Sequence, residues 1–133
     1  MVYFPSNVDV FSGNPGASEV KSAYKATVSN STTRVDIVAP TLGKKIRIIS
    51  VIVVNASAIG TRFEVYFSDG ANITSNAGKE ISEFLLDIDF APTHSMVWPD
   101  GGGPVGVTDD VVSLRTISDI GGNGSAIIYY REE

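Results

Sequence analysis

Residues 45–55 read K-I-R-I-I-S-V-I-V-V-N, and this stretch limits the possible folds more than any other. Successive side chains of a strand point to opposite faces. A regular strand here would set Ile46, Ile48, Ile52 and Val54 on one face and Arg47, Ile49, Val51 and Val53 on the other. Its second half is therefore apolar on both sides, and both sides need cover. A single sheet with one face open to water does not supply that.

From about residue 23 to the end the chain keeps the same period of two, broken by turn residues roughly every 8 to 15 positions. Strands are predicted over residues 23–29, 34–39, 45–55, 61–68, 80–90, 95–98, 111–118 and 125–131. The first two are placed to form a hairpin through Asn30, Ser31 and Thr32, and Pro40 closes the second because it cannot donate to a ladder. In 61–68, Phe63, Val65 and Phe67 are expected in the core, with Arg62, Glu64 and Tyr66 outward. In 80–90 the buried set is expected to be Ile81, Phe84, Leu86, Ile88 and Phe90, with a short helix over 77–86 as the competing reading. The result is an all-β chain: an antiparallel β-sandwich or jelly roll of about eight strands.

Residues 1–22 differ. Tyr3, Phe4, Val8, Val10 and Phe11 are apolar, but Pro5, Gly13, Pro15 and Gly16 break any regular element. The chain thus divides into an extended N-terminal arm, 1–22, and one sandwich domain, 23–133. An arm with three aromatic residues is costly to leave in water, so it is expected to lie along its own sandwich or a neighbouring subunit.

Composition narrows the function classes. Of 133 residues, 43% are hydrophobic and 19% charged, unlike a disordered chain or a charged helical bundle. The net charge of -5 and scattered basic residues argue against a nucleic-acid surface. With no cysteine, neither disulfides nor thiolate metal sites hold the fold. No apolar run approaches the roughly 18 residues of a membrane span, and the N-terminus lacks the pattern of a signal peptide, so a soluble protein that does not bind membranes is expected. The glycosylation patterns at Asn30, Asn55, Asn72 and Asn123 are read as chance matches in a chain rich in Ser, Thr and Asn.

Residues 99–110, P-D-G-G-G-P-V-G-V-T-D-D, contain G-x-G-x-x-G at Gly101, Gly103 and Gly106. That spacing binds dinucleotide phosphates when a strand precedes it and a helix follows. Here Pro104 removes a donor and a strand pattern follows, so the segment is read as a loop between strands with no cofactor. Asp100, Asp109, Asp110, Asp119 and Asn123 do not have the spacing of a calcium loop. The single His94 lacks the partners of a hydrolytic triad, and Glu80, Glu83, Asp87 and Asp89 read as solvated positions and not as a glycosidase pair. No catalytic, cofactor-binding or metal-ligating residue is expected, and the chain is read as a non-enzyme. Tyr66, Trp98, Tyr129 and Tyr130 remain as aromatic residues that could anchor an interface or stack on sugars.

GKKIRIISVIVVNASAIGTRFEVYFSDG, then PDGGGPVGVTDDVVSLRTIS and the closing GSAIIYYREE, resemble small β-sandwich virion proteins of tailed bacteriophages, of the head decoration or cement type. The likeness spans residues 43–133 and lies in strand order and turn placement. It implies a virion protein made in the host cytoplasm and placed on the capsid surface, commonly as a homotrimer that clamps the major capsid protein. Tyr3, Phe4, Val8 and Phe11, with Tyr66 and Trp98, are then the candidate partner-binding residues. The alternative is a tail or head fibre module that binds a host glycan through exposed aromatic residues and loop polar groups, with Trp98 and Tyr66 as the residues that would test it. An appended domain of a cellular enzyme is disfavoured by a chain that reads as complete from Met1 to Glu133.

Overall fold

The doubly apolar segment forms the long strand β3 (Ile46–Asn55), and the fold is arranged around it. The computed structural model describes residues 18–28, 32–76 and 78–133. Among these, the other strands are β1 (Lys21–Val28), β2 (Val35–Val38), β4 (Thr61–Phe67), β5 (Glu80–Leu86), β6 (Thr93–Val97), β7 (Val112–Thr116) and β8 (Gly124–Glu132). One 3-10 turn, Ile73–Asn76, lies between β4 and β5. Residues 80–86 are thus strand, not helix.

Two antiparallel four-stranded sheets face each other, the first in the order β1-β8-β3-β6 and the second β2-β7-β4-β5. Among the described strands, only β4 and β5 are both consecutive in sequence and hydrogen-bonded neighbours, and the other consecutive strands lie in opposite sheets. This is the double-sheet jelly roll. The expected hairpin of the first two strands does not form: β1 pairs with β8, and β2 with β7. Alternation identifies a strand but not its neighbour, and the nine-residue β8 offers β1 a partner that the four-residue β2 cannot match.

β3 departs from the regular strand expected of it. Its register against β8 shifts between Ile48 and Ser50, the mark of a β-bulge. Before the shift Ile46 and Ile48 point into the core; after it Val51, Val53 and Asn55 do. Ile52 and Val54, expected to share a face with Ile46, turn to the outside of the sheet instead. One inserted residue reverses the parity of everything after it.

The glycine loop completes the same strand. β6 pairs with β3 only over Ser50–Val54, and the loop takes over below the bulge. Trp98 N–H donates to Ile49 O at 2.9 Å, Ile48 N–H to Pro104 O at 2.9 Å, and Gly106 N–H to Ile46 O at 3.0 Å. The glycines let this backbone approach: a Cβ on Gly103 would stand 1.9 Å from Ile48 O, and one on Gly106 would meet the Phe67 ring at 2.8 Å.

In β4, Phe63, Val65 and Phe67 fill the core as expected, with Val112, Leu114 and Ile128. Glu64 and Tyr66, expected outward in solvent, are buried too. The connection after β4 folds over them: Tyr66 Oη donates to Gly70 O at 2.8 Å, and Ile73 N–H donates to Glu64 Oε2 at 3.0 Å. Ile88 and Phe90, expected inside, are exposed. β5 ends at Leu86, and a turn closed by Ala91 N–H on Asp87 O (2.8 Å) carries both residues outward.

Gly103→Ala is expected to destabilise the chain by about 2 kcal/mol or more, because the added methyl collides with backbone. Gly101→Ala, with positive φ but open space, should cost about 1 kcal/mol. Urea denaturation compares them, and an equal or reversed order would contradict the close-approach role of Gly103.

Candidate assembly surface

The two sheets differ in what their outer faces carry. Across the first sheet, the cross-strand pairs set Ser22, Tyr129, Ser50 and Val97 in one row, and Tyr24, Ile127, Ile52 and Ser95 in the next. Ser125, Val54 and Thr93 follow in a third. None of these positions is charged. Tyr24 is 64% exposed and Val97 74%, while Ile52, Val54 and Ile127 are half-buried between their neighbours. Among the described residues, nothing lies over them.

Charge begins at one end of that face. Arg47 and Arg131 are paired across β3 and β8, and both are held. Arg131 makes a two-pronged contact with Asp100, Nε to Oδ1 and Nη2 to Oδ2, each 3.0 Å. Arg47 pairs with Glu133 and donates to Gly103 O at 3.0 Å. The guanidiniums thus lock the glycine loop and the C-terminus, and the uncharged rows run on from there.

The outer face of the second sheet is charged and carries its own cover. Glu64, 2% exposed, sits among Arg115 (Nη1 3.4 Å), Arg62 (Nη2 3.6 Å) and the Ile73 N–H. Arg62 Nε also reaches Glu83 at 2.7 Å, and Arg34 pairs with Asp36. A buried carboxylate needs such partners, and the folded connection supplies the last of them.

A third cluster holds the edge strand. Glu132 takes Lys21 Nζ at 2.7 Å, the Thr41 N–H at 2.7 Å and Thr41 Oγ1 at 3.0 Å. These contacts, led by Lys21, push its carboxyl down to about 2 from an ordinary 4.5. The clasp fixes β1 at its first residue, Lys21. A second apolar area, Ile59, Ile88, Phe90 and Ile117, stands on connections at the opposite end, with Phe90 89% exposed.

Of the candidate partner-binding residues, Tyr3, Phe4, Val8 and Phe11 lie outside the described residues. Tyr66 is removed from the exposed set by the connection that covers it. Trp98 is half-buried and packs on the core, and Tyr130 is buried, whereas Tyr129 is 37% exposed on the uncharged face. Sequence reasoning missed Tyr24, Ile52, Ile127 and Val97. Only the register that aligns four strands shows that they form one surface.

The candidate catalytic groups are dispersed. His94 stacks on Phe84 with centroids 4.3 Å apart. Asp109 accepts from Gly43 N–H at 2.6 Å, Asp110 from Lys79 at 3.0 Å, and Asp119 from Gly121 N–H at 2.8 Å. Each fixes a different connection. No group of three or more His, Cys, Asp or Glu side chains suited to a metal occurs among the described residues.

No protein-family model and no curated protein matches the sequence. Among solved structures, a chain from the acid-stable capsid of Helicobacter pylori bacteriophage KHP30 aligns with a TM-score of 0.54 and 15% identity. The alignment covers 87% of this chain and 88% of that one. This likeness is one of fold. Weaker alignments join the chain to the virus-like particle of the extra small virus of the prawn Macrobrachium rosenbergii (TM-score 0.47, 5% identity, 86% and 77% covered). The cyanophage Pam1 capsid follows (0.44, 11%, 98% and 92%).

The Glu132 clasp predicts an acid limb of stability. A carboxyl held below its ordinary value stabilises the fold fully above about 4.5, and the contribution fades as pH falls toward 2. Glu132→Gln should flatten the dependence of the denaturation midpoint on pH between those values, and an unchanged slope would show that the clasp is not responsible.

Proposed function

We propose that the chain is a non-enzymatic structural protein of a virion, a head decoration or cement protein that binds the assembled phage capsid. The observation that carries this reading is the uncharged, uncovered outer face of the first sheet. A solitary soluble sandwich gains nothing from such a face, whereas a subunit of an assembly buries it. The fold likeness to a chain of a phage capsid supports the same reading, as do the exposed apolar residues Ile59, Ile88, Phe90 and Ile117.

On this reading the partner is the major capsid protein, and the chain works as a homotrimer on the capsid surface after synthesis in the host cytoplasm. Residues 1–22, the last two of which open β1, serve as an arm on the domain 23–133, with Tyr3, Phe4, Val8 and Phe11 as its anchors and Trp98 as a further contact. Stabilisation follows from mass action: a protein that binds the closed shell and not free subunits raises the stability of the shell alone. The glycan-binding alternative, which rests on exposed aromatic residues and loop polar groups, loses Tyr66 and Tyr130 from its exposed aromatics.

Co-sedimentation with assembled heads lacking the protein tests this reading. The full chain should bind assembled heads and not isolated capsid subunits. Deletion of residues 1–20 should weaken binding at least about tenfold, or roughly 1.4 kcal/mol. Equal binding without those residues would remove them from the interface, and no binding to heads by the full chain would overturn the proposal.

A further inference from the structure

We infer that the uncharged outer face of the first sheet is the seat for residues 3–11 of a neighbouring copy of this chain. The inference rests on the assembly reading above and names the surface and its occupant. Three observations lead to it.

The chemistry matches. Y-F-P-S-N-V-D-V-F contains one charged residue, Asp9. In extended form Val8 and Val10 would face one way and Asp9 the other. The receiving rows offer Tyr24, Ile52, Val54, Ile127 and Val97 among hydroxyl side chains, with no charge to desolvate. The other outer face is unsuitable, since its Glu64 and Arg115 are already paired and the connection after β4 lies on it.

The chain ends in the right place. β1 is an edge strand of this sheet, and it begins at Lys21, opposite Tyr130 and held by Glu132. An arm that continued the line of β1 would leave the sheet past that end, away from its own uncharged rows and toward a neighbour.

The reach suffices. Residues 12–20 can span ~30 Å when extended, against a four-strand width of ~14 Å. Residues 3–11 then have ~30 Å with which to cross the rows of an adjacent sandwich. Because arm and seat are different surfaces of one chain, the contact is head-to-tail and closes a ring when the rotation allows.

The sequence holds no cysteine, so introduced thiols report unambiguously. Full-length Val8→Cys and Ile52→Cys chains are co-expressed and oxidised mildly. A disulfide-linked pair should form at a yield at least about tenfold above the same experiment with Asp36→Cys on the charged face, as proximity requires. A second pair, Val10→Cys with Ile127→Cys, guards against one substitution disturbing its strand. A chain carrying both Val8→Cys and Ile52→Cys is oxidised alongside, and a link that forms within it but not between the singly substituted copies would overturn the inference in favour of the chain's own arm. Equal yield with Asp36→Cys would overturn it as collision. No link in either pair, with the unsubstituted protein oligomeric by light scattering, would overturn it in favour of another occupant. Head binding is scored separately: linked copies that fail to bind heads overturn the virion reading alone, and head binding without linkage overturns this inference alone.

Discussion

The structure depends on the need to cover β3 on both sides. Ile46, Ile48, Val51 and Val53 are buried completely or nearly so beneath the second sheet, while Ile52 and Val54 stand on the outside. A regular strand would have mixed these sets. The bulge at Ile48–Ser50 lets the inward positions follow the strand's changing apolar face, and it places the handover from β6 to the glycine loop at the same level. What remains outside is an apolar middle in the first sheet. The jelly roll has only two layers, so nothing within the described residues lies over that side.

The two outer faces then take different solutions. The second sheet encloses its charges by folding the connection after β4 across them, which buries Glu64 and Tyr66. The first sheet carries charge only at one end of its outer face, where Arg47 and Arg131 hold the glycine loop, and among the described residues no connection lies over its other rows. Its edge strand is clasped by Glu132, its charged end is locked by Arg131 on Asp100, and the rows between stay open. A surface that is rigid at its borders and uncharged in its middle is suited to being buried by a partner, because little is lost in ordering it.

Much of this fold is legible in the sequence and some of it is not, for physical reasons. Period-two alternation marks all eight strands and gives the class, because burial against a facing sheet imposes that period. It could not show the β1–β8 pairing, since partner choice is set across more than a hundred residues. It could not show the bulge either, because one inserted residue leaves K-I-R-I-I-S-V-I-V-V-N reading as a continuous apolar strand. Tyr66 alternates correctly onto the outer face, but a connection folds over it. Ile88 and Phe90 keep the alternation after their strand has ended in the turn at Asp87. The site suffered most: Tyr24, Ile52, Ile127 and Val97 are far apart in the chain and meet only through register. The G-x-G-x-x-G segment shows the opposite case, in which a familiar spacing is explained by backbone contact with Ile46 and Ile48.

The central claim is that the outer face of the first sheet is covered when the protein is assembled, and hydroxyl-radical footprinting of Tyr24 tests it most directly. Tyr24 is 64% exposed in the single chain. In the assembled protein its modification rate should fall well below that of the same residue in the chain dissociated to monomers, together with that of Tyr129. Equal reactivity of Tyr24 in the two states would show that the face stays open to water and would contradict the account.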